Sequence, residues 1–161
     1  MKAELTQLLP ALRRFAYSLT GSMPDADDLL QNTVLRLLNA PPADGVPLPQ
    51  WAFKVCRNIW IDDYRAQKVR QRSTQSAELQ QENFSDGEQD MINDIHLSHV
   101  NNAMNALPDE QREVLALVAV QGLSYQEAAA VLAIPAGTIM SRLARARAAM
   151  VSALQPNGGL V

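Results

Sequence analysis

A chain of 161 residues has room for one domain or two small ones, and an apolar content of 47% is ordinary for a globular protein. No apolar run approaches the roughly 18 residues of a membrane span, and the opening MKAELTQLLPALRR is not expected to act as a secretory signal. The single cysteine, Cys56, excludes an internal disulfide and, with no membrane insertion expected, suits a cytoplasmic protein.

The net charge of −3 conceals segregation along the chain. Lys54, Arg57, Arg65, Lys68, Arg70 and Arg72 crowd one stretch, and Arg142, Arg145 and Arg147 another. Between them, Ser73 to Gln111 carries no Lys or Arg but holds Glu78, Glu82, Asp86, Glu88, Asp90, Asp94, Asp109 and Glu110. Such clustering bears on partners more than the sum does.

Apolar residues recur at helical spacing throughout, and no segment alternates as a strand would. Leu5, Leu8, Leu9, Leu12, Phe15, Ala16 and Leu19 mark one face of a first helix that Gly21 ends. Ser22 is placed to cap a second helix, with Pro24 in its first turn and Asp25, Asp27 and Asp28 favoured by the helix dipole. Leu29, Leu30, Val34, Leu37 and Leu38 would form its buried side. The stretch APPADGVPLPQ, Ala40 to Gln50, has four prolines and a glycine and reads as an ordered loop. A third helix is expected from about Trp51 to Arg70, burying Trp51, Val55, Ile59 and either Ile61 or Tyr64, with Cys56 in the core. From Ser73 to about Asp90 the sequence has little to bury and reads as a flexible linker. A second helical unit starts near Asp94, with Val100, Met104 and Leu107 in its first helix. Pro108 opens the next helix, which buries Val114, Leu115 and Val118 and ends at Gly122.

The densest local signal is LSYQEAAAVLAIPAGTIMSRLARARAAM, Leu123 to Met150. Ser124 and Glu127 form a capping box. The short helix that follows has small Ala128 and Ala129 where a second helix could cross closely. A turn at Ala133 to Pro135 leads to a helix from Ala136, with Ile139, Leu143 and Ala146 facing inward. Gly137, Thr138, Ser141, Arg142 and Arg145 stay outside. A slim N-terminal end with polar side chains is what a helix needs to enter the major groove. The same pattern also describes a helical hairpin with a solvated basic face.

Two separated blocks resemble one family. DADDLLQNTVLRLL (Asp25 to Leu38) with WAFKVCRNIWIDDYR (Trp51 to Arg65) looks like region two of bacterial sigma factors. ALPDEQREVLALVAVQGLSYQEAAAVLAIPAGTIMSRLARAR (Ala106 to Arg147) looks like region four. Their order and short linker resemble the extracytoplasmic-function class. The implied fold is all-α: two small helical domains, 1–72 and 94–155, joined by a flexible acidic linker, 73–93, with a helix-turn-helix in the second.

The resemblance implies partners and residue roles. Core RNA polymerase would be bound by Asp25, Asp27, Asp28, Leu29, Gln31 and Arg36. The −10 element of promoter DNA would be met by Lys54, Arg57, Asn58, Asp62 and Arg65, with Trp60 either stacking on a base or packing in the protein. The −35 element would be met by Gly137, Thr138, Ser141, Arg142 and Arg145. An anti-sigma factor is a further implied partner. Three positions depart from the family pattern: Ala133 where Gly is usual in the turn, Met140 where Lys is common, and Asn32 where Glu is common.

No cofactor, metal or catalytic group is expected. His96 and His99 lack further ligands at suitable spacing, and the acidic pairs have no accompanying nucleophile or base. Without the first block, the helix-turn-helix alone would equally suit a repressor whose Met1 to Arg72 dimerises or senses a signal, or an adaptor module that binds no DNA. The acidic cluster at Asp25–Asp28 and the helix around Asn58 separate these readings, because a repressor needs neither.

Overall fold

A computed structural model describes residues 1–66, 70 and 98–155. The expected linker, the onset of the second unit at Asp94, and Lys68, Arg72 and His96 lie outside the described residues. All regular structure among the described residues is helical.

Helix α1 spans Lys2–Thr20 and α2 spans Met23–Asn39. Gly21 joins them in the left-handed conformation, φ 73°, and its N–H returns to the Tyr17 carbonyl. That geometry favours glycine, which has no Cβ to clash. Ser22 caps α2 by accepting from the Asp25 N–H, with Pro24 in the first turn. Helix α3 spans Leu48–Ile59 and continues as a π-helical turn, Trp60–Arg65. It starts earlier than the expected Trp51. Pro49 sits in its first turn, where its missing N–H has no intrahelical partner to lose. The loop before it is pinned by Trp51 Nε1 donating to the Ala40 carbonyl at 2.9 Å.

Residues 98–105 form α4. Helix α5 spans Asp109–Leu115 and runs on as a second π-helical turn, Ala116–Val120. Gly122 (φ 75°) ends it, as expected. Helices α6 (Tyr125–Leu132) and α7 (Ala136–Leu154) complete the order and meet at a bend of 103°.

The two halves pack against each other. Phe15, Leu29 and Phe53 belong to the same buried cluster as Val114, Leu117, Val131, Ile139 and Leu143. Helix α1 packs on Ala116–Val120, and α3 packs on α6. Phe15 and Phe53 meet edge to face with ring centroids 5.2 Å apart, tying α1 to α3.

Several burial expectations shift. Leu38 and Val100 are exposed, and Thr33 takes an inward place on α2, its hydroxyl donating to the Leu29 carbonyl. Trp60 is buried, so it packs in the protein and presents no face for a base to stack on.

Candidate nucleic-acid interface

The helix-turn-helix is built as the sequence reading had it. Both halves of the capping box are present: Ser124 Oγ accepts from the Glu127 N–H at 3.0 Å, and Glu127 Oε1 accepts from the Ser124 N–H at 2.8 Å. Ala133 takes the left-handed conformation, φ 58° and ψ 45°, so the turn carries a Cβ where glycine would be unstrained. Ile139, Leu143 and Ala146 are buried. Thr138, Ser141, Arg142 and Arg145 share the opposite face of α7, with Ser141 and Arg145 exposed and Thr138 and Arg142 half-buried. Gly137 is exposed, with open space where a Cβ would stand, so packing does not require glycine there. Met140 is exposed beside this face.

Lys54 and Asn58, one turn apart on α3, point away from its buried side, and Asp62 is exposed just beyond them. Arg65 follows in the same π-helical turn. Arg57 is not free. Its Nε donates to Glu113 Oε1 at 2.7 Å and its Nη2 to Oε2 at 3.3 Å, while Nη1 donates to Asn58 Oδ1 at 3.2 Å.

On α2, Asp25, Asp28, Gln31 and Arg36 are exposed. Leu29 is wholly buried, which corrects its expected place on a binding face: it is core and offers a partner nothing. Leu35, which sequence reasoning passed over, and Leu38, which it placed on the buried side, are 59% and 44% exposed and fall on one face with Asp28 and Gln31. Their signal was present, since they stand seven and ten residues after Asp28, spacings that keep them on its helical face. Asp27 pairs with Arg13 at 3.0 Å. Asp28 accepts from the Tyr64 hydroxyl at 2.6 Å, and Asn32 donates to the same hydroxyl at 3.0 Å. Burial and the neighbouring Asp28 push the Tyr64 phenol well above its ordinary pKa.

Two buried charges were not anticipated. Arg112 is 1% exposed, its Nε donating to the Ser18 carbonyl at 2.8 Å and its Nη2 to Asn105 Oδ1 at 2.5 Å. Burial pulls it down to about 10, so it remains cationic at neutral pH. Glu113 is equally hidden; burial pushes its carboxyl above the usual range, and Arg57 pulls it partly back. A groove of about 690 Å³ opens between α1, the start of α2 and Val120, lined by Leu9, Tyr17, Met23 and Leu30 with Arg13 and Arg14.

A helix with a basic outer face, held at a steep angle to the short helix before it, has the geometry of a helix-turn-helix, a form in which transcription factors present a helix to DNA. Residues 5–70 match Sigma-70 region 2, and residues 100–150 match Sigma-70, region 4. The ECF RNA polymerase sigma factor EcfG of Rhodopseudomonas palustris (strain TIE-1) is 34% identical over 160 residues, covering 98% of this chain and 87% of that one. Among solved structures, the sigma factor RpoE in complex with the anti-sigma factor NepR, from Bartonella quintana, superposes with a TM-score of 0.74 at 30% identity, covering 95% of each chain. CnrH in complex with the cytosolic domain of CnrY gives a TM-score of 0.71 at 25% identity, covering 95% of this chain and 86% of that one. The chain belongs to the extracytoplasmic-function sigma factors of the sigma-70 family. It is an alternative sigma factor, a factor that directs transcription and not a member of a catalytic family.

Proposed function

We propose that the chain binds core RNA polymerase through the exposed face of α2, recognises and melts the −10 element through α3, and reads the −35 element through α7. The observation that carries this reading is the division of α7: Ile139, Leu143 and Ala146 inside, Thr138, Ser141, Arg142 and Arg145 outside. A helix so divided can lie in the major groove and reach base edges and phosphates without losing its packing.

The polymerase contact rests on Asp25, Asp28, Gln31 and Arg36 with Leu35 and Leu38, and Tyr64 holds Asp28 in place. Acids rimming an apolar stripe suit a basic, partly apolar partner surface. At the −10 element, Asn58 offers donor and acceptor groups to a base edge, while Lys54, Arg57 and Arg65 suit phosphates and Asp62 borders the base. A base turned out of the stack needs a fitted pocket to recover a few kcal/mol of unstacking; the loop pinned by Trp51 stands beside α3 to help form it. An anti-sigma factor is the third partner, as in the complexes named above, and the apolar groove with Arg13 and Arg14 would suit an amphipathic acidic helix of such a partner. All these roles place the protein in the cytoplasm.

Promoter-dependent transcription with core polymerase tests the assignment. Arg142→Ala should cut initiation at a −35-dependent promoter by roughly tenfold, the loss of about 1–3 kcal/mol expected for one base or phosphate contact. Core binding should stay intact. The double variant Leu35→Ala/Leu38→Ala should do the reverse, weakening core binding first. Unchanged promoter selection by Arg142→Ala would show that α7 does not read the DNA.

A further inference from the structure

The exposed side of α7 is split along its length. On one flank stand Thr138, Arg142 and Arg145, all with side chains that hydrogen bond. On the other stand Gly137, Met140 and Ala144, at three- and four-residue spacing, and none has a side-chain donor. All three are exposed, and Met140, the largest of them, is 53% exposed. Nothing beyond its own helix lies within 4 Å of where a Gly137 Cβ would stand, so the protein leaves this flank open. Met140 lies in the second turn of α7, within the N-terminal part that a helix-turn-helix inserts into the major groove.

Base edges in that groove are lined mostly by hydrogen-bonding groups. Guanine offers N7 and O6, adenine N7 and its N6 amino group, and cytosine its N4 amino group. Thymine alone adds an apolar group, the C5 methyl, beside O4. An apolar side chain pressed against the first three covers polar atoms without pairing them, which costs free energy. Against a methyl it removes apolar surface from water on both sides. Methionine suits this contact because its unbranched thioether chain moulds to an irregular surface. Ser141, between the two flanks, narrows the choice in the same direction. Its hydroxyl donates to the Thr138 carbonyl at 3.2 Å, so the groove meets its oxygen as an acceptor. An A·T pair presents an amino donor and a methyl on one edge.

We propose that Met140 is a specificity-determining residue: with Ala144 it forms an apolar contact for a thymine C5 methyl in the −35 element, selecting A·T at one position through the methyl and not through a hydrogen bond. The inference rests on the reading of α7 as the −35 helix and adds a chemical preference to it. Thr138, Arg142 and Arg145 supply the polar contacts on the opposite flank, so the two flanks read different chemistry.

Deoxyuridine substitution tests this in holoenzyme binding, because uracil differs from thymine only by the missing methyl. A promoter recovered by selection with the reconstituted holoenzyme supplies the duplex, and each −35 thymine on either strand is replaced in turn. Replacement at one position should weaken binding about fourfold, the equivalent of one methyl group left unburied. Met140→Ala should bind the thymine and uracil duplexes alike, whereas Met140→Leu should keep the difference. With that A·T pair changed to G·C, 5-methylcytosine should return part of the lost affinity to the parent and none to Met140→Ala. The proposal is overturned if no uracil substitution weakens binding by the parent, if the weakening persists in Met140→Ala, or if the selected −35 element holds no A·T pair. Scrambling the whole −35 element separates this from the reading beneath it. If scrambling leaves holoenzyme binding unchanged, α7 does not read the element at all; if scrambling weakens binding while uracil does not, only the role of Met140 falls.

Discussion

Ala133 shows how a single position can be read from sequence and then acquire an energy. It stands in a turn between two helices where the chain must take positive φ, and its φ of 58° confirms that it does. Replacing it with glycine should relieve strain on the order of 1 kcal/mol, less the added freedom of the unfolded chain. Thermal denaturation of Ala133→Gly should show a rise of a few degrees at most; a fall would mean the turn is not strained. Cys56 offers a second residue-level test. Burial pushes its thiol up to about 12, with a hydrogen bond to Thr33 offsetting part of the effect. The unfolded thiol ionises near its ordinary value of about 8.5. Between these values the unfolded state releases a proton that the folded state keeps, so stability falls as pH rises through the window. Cys56→Ala should flatten that decline relative to the parent, measured by denaturant titration between about pH 8.5 and pH 10.5.

Among elements, the helices with clean periodicity were legible: α1 with its glycine stop, α2 with its Ser22 cap, and the capping box of α6. Helix α3 was misjudged at its start because Pro47 and Pro49 were counted with the loop, although proline is favoured in a first turn. Leu38 and Leu29 show the other limit. Both fit an amphipathic pattern, but only the packing of α2 against α1 and α3 decides that Leu29 is core and Leu38 is surface. Arg112 and Glu113 could not be read at all, since charged residues on a helix are ordinarily solvated and their burial depends on α1 and α3, distant in sequence. Arg112→Met keeps the volume but leaves the Ser18 carbonyl and Asn105 without their cation. Its cost should be about 2–4 kcal/mol by denaturant unfolding; a change under about 0.5 kcal/mol, the range of neutral surface substitutions, would mean those bonds are replaced by water.

At the scale of the whole molecule, the fold class and the two-block organisation were visible, whereas the packing of the blocks against each other was not. Hydrophobic pattern assigns an inward face to each helix but does not say which half covers it. Leu117 and Val131 share a buried cluster with Phe15 and Phe53, so the free factor should unfold in one transition. Calorimetry of the free chain should give a single peak with equal calorimetric and van't Hoff enthalpies. Two resolved peaks would mean that the halves are independent and the shared cluster is too weak to couple them.

The adjacency of Arg112 and Glu113 has a consequence for recombination. One dipeptide specifies the fit to two separate places, the end of α1 and the last turn of α3, through Ser18 and Arg57. A chimera that grafts the C-terminal half of a relative onto this N-terminal half would change Thr138, Ser141 and Arg145 without touching that fit, whereas Arg142 is coupled to Glu113 and would change with it. The chimera would inherit a matched junction only if the donor also carried residues equivalent to the dipeptide. In the proposed reading of α7, Thr138, Ser141 and Arg145 can drift apart from the docking dipeptide, while Arg142 links the two.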